Sequence, residues 1–200
     1  MTMTYPHRNS PDTDRTHEIS ARTKTEAEKQ NNTEMFEIVD DNDRVVGVAP
    51  RNKCHGNPEL VHRTAHVVVF SSCGKILLQK RSADKDIQPG KWDTAVGGHL
   101  APGETYLQAA RREMHEEIGL PEDQQLNILF DNRIRNTVES ENVRVFRTVS
   151  DGPFNPQSEE IDQLRFWTRG EIRRALGTDT FTPNLETELL QIFPDLRPEP

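Results

Sequence analysis

Residues 97–120 read GGHLAPGETYLQAARREMHEEIGL, a glycine-rich turn running into an acidic helix. Thr105 and Gln108 stand at capping-box spacing, and Gly119 followed by Pro121 closes the run, which predicts a helix over 105–118. At about 100° per residue, Leu107, Ala110, Met114 and Ile118 share a sector of roughly 80°, the expected core-facing stripe. Glu113, Glu116 and Glu117 project to the neighbouring sector, away from the most solvated side. Like charges three and four residues apart repel, and more strongly when partly desolvated, so something positive is expected among them. Arg112 can reach Glu116, but one guanidinium does not neutralise three carboxylates. Mg²⁺ does: it takes oxygen ligands, keeps waters and bridges to phosphates. The glycine pair Gly97 and Gly98 lets backbone approach a ligand, and Glu104 is placed to touch the metal or Arg112. For this helix alone, the plainer alternative is a solvated acidic surface.

Outward from the helix, the chain reads as alternating strands and helices. Residues 35–39 and 44–48 are β-rich runs around the turn formers at 40–43, an opening hairpin. Residues 65–70 and 75–80 form a second hairpin near the sheet centre. A short strand follows at 93–96, ended by Gly97 and Gly98. Strands are expected at 126–134, 143–149 and 163–167, with two short helices near 169–176 and 184–193. Strands before, between and after helices favour an α/β sheet covered on both faces.

The 200 residues suit one domain with some spare chain. Residues 1–33 hold only six apolar residues and ten cancelling charges, too little to offset ordering entropy, so they read as a flexible tail with a short helix near 20–30. The folded domain is therefore 34–200. A formal charge of −8, from 25 basic against 33 acidic residues, argues against general nucleic-acid affinity. No apolar run is long enough to cross a bilayer as a helix. Two cysteines, Cys54 and Cys73, make no disulfide framework and have no adjacent catalytic signature; both read as structural, and the chain as cytoplasmic.

The spacing of Gly98, Glu104, Arg112, Glu113, Met114, Glu116, Glu117, Gly119 and Leu120 resembles the Nudix box, GX5EX7REUXEEXGU with U apolar, at every defined position. The resemblance implies a Nudix α/β/α sandwich with a mixed β-sheet and hydrolysis of a diphosphate linked to another group. It implies that Glu113, Glu116 and Glu117 hold a divalent metal, Mg²⁺ with Mn²⁺ as a substitute, oriented by Arg112 and supported by Glu104. Glu116 is one candidate general base; Glu139, Glu141, Glu159 and Glu160 in later segments are others.

Residues 35–193 also resemble type I isopentenyl diphosphate isomerases and the isomerase-like branch of Nudix hydrolases, through the runs 62–70, 77–82 and 89–93. That likeness implies a second metal site at His55, His62, His99, Glu139 and Glu141, and diphosphate contacts at Arg51, Arg81 and Lys85. Two departures favour hydrolase over isomerase. Gly97 stands where the isomerases carry a proton-transferring cysteine, and Asn184 where they carry a tryptophan whose π face stabilises a carbocation. His66 reads as a hydrogen-bonded residue on a sheet face, and Trp92 and Trp167 as packing residues.

The sequence therefore predicts a Mg²⁺-dependent Nudix hydrolase cleaving a phosphoanhydride in a nucleoside-diphosphate-type or other small diphosphate compound. The alternatives are an isomerase-like enzyme and a non-catalytic diphosphate-binding module. A homodimer is a candidate assembly.

Overall fold

The computed structural model describes residues 34–85, 87–157 and 159–197. The expected tail over 1–33, with its short helix, lies outside the described residues.

The opening hairpin pairs β1 (Met35–Val39) with β2 (Val45–Pro50) as a separate two-stranded sheet. A short helix, α1 (Arg51–Cys54), follows it; the sequence reading did not foresee this turn of helix. The main sheet holds β3 (His62–Phe70), β4 (Ile76–Arg81), β5 (Trp92–Thr94), β6 (Val96–His99), β7 (Asn127–Arg135), β8 (Ser140–Val149) and β9 (Ile161–Trp167). The strand order runs β5-β4-β3-β8-β7, with β6 also on β3 and β9 also on β4. β3 and β8 pair in parallel while the other pairs are antiparallel, so the sheet is mixed.

Helix α2 (Tyr106–Ile118) covers one face. Thr105 and Gln108 close a reciprocal capping box at its start, and Gly119 ends it at φ 73°, a left-handed conformation that glycine adopts without a Cβ penalty. Helices α3 (Arg169–Ala175) and α4 (Pro183–Ile192) cover the other face. Alternation along β3 serves both layers: Ala65, Val67 and Val69 pack with Ala110, Met114 and Ile118, while Val68 packs with Ile172, Leu185 and Leu189. A third cluster of Phe36, Ile38 and Cys54 anchors the hairpin and α1. Trp92 and Trp167 meet edge to face in the second layer, as packing residues.

Three expectations are corrected. The strand expected over 93–96 is two strands, because β5 pairs with β4 while β6 turns to pair with β3. Gly97 and Gly98 do not end a strand; both lie inside β6, opposite His66 and Ala65. Their lack of side chains meets crowding from outside the sheet, since a Cβ on Gly98 would clash with the Glu113 carboxyl. The buried face of α2 also differs from the expected stripe. Leu107 is 37% exposed, whereas Tyr106, Ala109 and Glu117 are buried with Ala110, Met114 and Ile118. The helix is thus rolled by roughly 50° from the purely apolar choice, which carries Glu117 inward and leaves Glu116 exposed rather than beside the core.

Candidate active site

The first cluster forms where α2 crosses β6. Glu117 is only 4% exposed; its Oε2 accepts from Gln79 Nε2 at 3.1 Å and its Oε1 from the Gly97 amide at 3.3 Å. Burial raises its pKa well above the usual carboxylate range, and the charges of Glu113 and Glu160 push the same way. Burial likewise raises Glu113 to about 6 against the opposing pull of Arg112. Carboxyls that burial and their acidic neighbours make costly to ionise form a pocket short of positive charge, which suits a hard cation.

Arg112 is the hub of the surrounding pairs. Its Nε and Nη2 meet the two oxygens of Glu104 at 2.9 and 2.8 Å, its Nη1 meets Glu113 at 2.7 Å and Glu116 at 3.3 Å, and Nη2 also donates to the His99 carbonyl at 3.0 Å. Glu104 is held below its ordinary pKa by this fork. Glu116 is the outlying member of the acid trio, half exposed and tied only to Arg112 among the described residues. Lys85 approaches Glu160 at 3.1 Å and so borders this cluster, while Arg81 pairs with Asp93 at 3.1 Å on the neighbouring strands. Arg51 lies elsewhere, paired with Glu34 at 2.9 Å and 6.0 Å from the Phe36 ring centroid.

The second cluster lies on the other sheet face. His55 caps the end of α1, His62 begins β3 and His99 ends β6, and the parallel register sets His62 beside Glu141 of β8. One ligand nitrogen from each ring lies within 4.8 Å of the others. His62 and His99 Nε2 each stand 3.3 Å from the same Glu141 oxygen. Yet Nε2 of all three histidines is buried without a hydrogen-bond partner among the described residues. Three orphaned imidazole nitrogens beside a carboxylate are costly unless filled, and this N/O donor set fits a divalent metal. Phe36 stacks on His99 and His62 at 4.1 and 4.9 Å, fixing both rings.

Burial lowers His55 to about 4 and lowers His99, keeping these rings neutral and able to ligate near neutral pH. Burial alone would raise Glu141, but the His62 and His99 rings hold it below the usual carboxylate range. Glu139 stands at the margin, its pKa raised by burial, and accepts from Asn184 Nδ2 at 2.9 Å. Asn184 therefore borders this site, while Glu159 sits on the exposed loop before β9.

Sequence reading did not identify Gln79 as a partner of Glu117. The signal available was a polar residue following the apolar run 76–78 within one strand. It also did not foresee Glu188 as the partner of His66, or Thr94 as the second donor to Glu188, since α4 is remote in sequence and only the fold sets it against β3.

The family model of the NUDIX domain matches residues 60–185, more than half of the chain. The chain belongs to the Nudix family. A Nudix hydrolase of Yersinia pestis is 37% identical over 155 residues, 76% of this chain and 81% of that protein. The Nudix hydrolase YfcD of Escherichia coli K12 is 35% identical over 156 residues, 76% and 82% of the two chains. An isopentenyl-diphosphate Delta-isomerase of Clavibacter sepedonicus is 31% identical over 170 residues, 82% and 90% of the two chains. Among solved structures, DR0079 from Deinococcus radiodurans superposes with a TM-score of 0.68 at 24% identity, over 80% of this Nudix chain and 99% of that one. That likeness establishes the Nudix α/β/α sandwich. This Nudix chain is an enzyme of the hydrolase family that acts on pyrophosphate bonds. Among the described residues, no helix is long and apolar enough to cross a membrane.

Proposed function

We propose that this Nudix enzyme is a Mg²⁺-dependent hydrolase, with Mn²⁺ as a substitute, that cleaves the phosphoanhydride of a small diphosphate compound such as a nucleoside diphosphate derivative. The observation that carries the reading is the buried Glu117 and part-buried Glu113 packed against the backbone of Gly97 and Gly98, with Arg112 forked onto Glu104. Glu113, Glu116 and Glu117 would hold the metal. When bound, it would neutralise diphosphate charge and lower the pKa of water.

The chain's own residues supply the rest. Arg112 positions Glu113 and Glu116, Glu104 positions Arg112, and Gly97 and Gly98 bring backbone to the substrate. Arg81 and Lys85 would exchange their present carboxylate partners for phosphoryl oxygens. Glu116 is one candidate for the proton acceptor; Glu160, which faces Glu113 and Glu117 electrostatically, is the other favoured by position. His55, His62, His99, Glu139 and Glu141 would hold a second divalent ion, with Arg51 nearby as a further phosphate contact. The partner class is a small diphosphate molecule rather than nucleic acid, in a cytoplasmic domain spanning 34–200, with a homodimer as the assembly to test.

Phosphorus NMR of a Mg²⁺-supplemented diphosphate panel in ¹⁸O-water tests the reading. Label entering one phosphoryl product supports it, and an intact panel that includes nucleoside diphosphate derivatives, dinucleotides, nucleotide sugars and isoprenoid diphosphates counts against it. The histidine cluster and the Clavibacter relative favour a second reading, an isomerase-like activity. Its outcome in the same experiment is rearranged isopentenyl diphosphate with both phosphates retained and no label. Gly97 weighs against it, because glycine supplies no proton to an alkene.

A further inference from the structure

His66 has no role in the two metal clusters, yet it is built for one. It lies on β3 directly opposite Gly97, on the sheet face that carries His62 and His99. Its Nδ1 is engaged by Oε1 of Glu188, which α4 delivers to this face. Glu188 is 1% exposed, and its other oxygen accepts from Thr94 Oγ1 at 2.5 Å. Among the described residues, no cation other than His66 meets this buried carboxylate. A buried carboxylate with one such partner is stabilised by an imidazolium rather than a neutral ring. Burial by itself lowers the His66 pKa, but the charge and hydrogen bond of Glu188, helped by Glu141 and Asp93, raise it to about 9. The pairing thus fixes which nitrogen is left over.

That nitrogen is Nε2, and among the described residues nothing hydrogen-bonds it. The side chain keeps 12% exposure. The ring lies over the spot where Gly97 lacks a side chain: a Cβ there would stand 3.3 Å from Nε2 and 3.2 Å from Cδ2. On its other side the Gly97 amide donates to Glu117. One residue of backbone therefore separates the imidazole from the acid cluster, and His99 is two residues further along the same strand.

Resting on the hydrolase reading above, we propose that His66 is a substrate-binding residue whose Nε2–H, presented beside Gly97, donates to an anionic oxygen of the diphosphate compound. Glu188 is its positioning residue, holding the ring as a donor and setting its orientation. Gly97 keeps the approach open, which a larger residue at that position would narrow.

The test uses the full chain with Mg²⁺ and methylenediphosphonate, whose bridging carbon resists hydrolysis. Calorimetry should show binding weakened roughly ten- to a hundredfold in His66→Phe, the loss of one charge-assisted hydrogen bond. His66→Gln, whose amide can still donate, should recover part of it. On the parental chain, the His66 ring nitrogen resonance should move on titration, which reads the contact even if the Phe variant does not fold. Unchanged affinity in a folded His66→Phe, or a ring resonance that stays put while Gly97 and Gly98 amides shift, would overturn the proposal and leave the hydrolase reading standing. Absence of any binding by the parental chain would overturn both.

Discussion

Glu117 is where local composition and tertiary placement conflict most, because a carboxylate occupies a position the helix buries. Its partners are Gln79 and the Gly97 amide, both of which donate, so the site is shaped for an acceptor oxygen, whose charge the proposed cation would balance. Glu117→Gln keeps the volume and removes the charge. Turnover should fall by about two orders of magnitude or more, equivalent to about 3 kcal/mol of transition-state stabilisation, while the circular dichroism spectrum and melting temperature hold. Parental turnover in that variant would remove Glu117 from the proposed site. His66 gives a pH prediction of definite sign. Its pKa rises from 6.5 to about 9 on folding, so the stability it contributes is complete below 6.5 and is lost as pH climbs through about 9. An upper bound on that contribution is about 3 kcal/mol. Melting temperature followed from pH 6.5 upward should decline through this window, and Glu188→Gln should flatten the decline.

At the scale of elements, α2 does two jobs that compete for the same face. Its apolar residues seal the core against β3, and its glutamates must reach β6 at the same level. The roll that admits Glu117 puts Leu107 outside, so Leu107→Lys should change stability by no more than about 0.5 kcal/mol. Met114→Ala, from a fully buried position, should cost about 2–5 kcal/mol in a denaturant titration. Similar losses from the two variants would refute the observed helix orientation. β6 is the matching element. Gly98→Ala places a methyl group against Glu113, so it should cost about 1–3 kcal/mol of stability and lower turnover more than Leu107→Lys does.

Across the whole molecule, the histidine cluster is an assembly of distant segments: the end of α1, the start of β3, the end of β6 and the start of β8, with Asn184 of α4 at its margin. A metal bound there would tie the hairpin layer to the main sheet. At a Mn²⁺ concentration about a hundredfold above the dissociation constant, the folded state gains about 2.7 kcal/mol, a rise of roughly 5–10 °C in melting temperature for a chain of this size. Chelator should reverse the rise. His99→Ala should remove the part that belongs to this cluster, and an identical rise in that variant would show that the histidines do not bind the ion.

The Nudix spacing, the ends of α2 and the identity of the acids were all readable from the order of residues. Caps, glycines and residue periodicity act within a few residues of one another, and their physics is local. The alternating strands and the sheet covered on both faces were legible for the same reason. The roll of α2, the division of 93–99 into two strands and the meeting of His66 with Glu188 came from packing between distant segments. Each depends on which surfaces press together across the sheet, and burial, unlike periodicity, is a property of the neighbours that the chain acquires only when it folds.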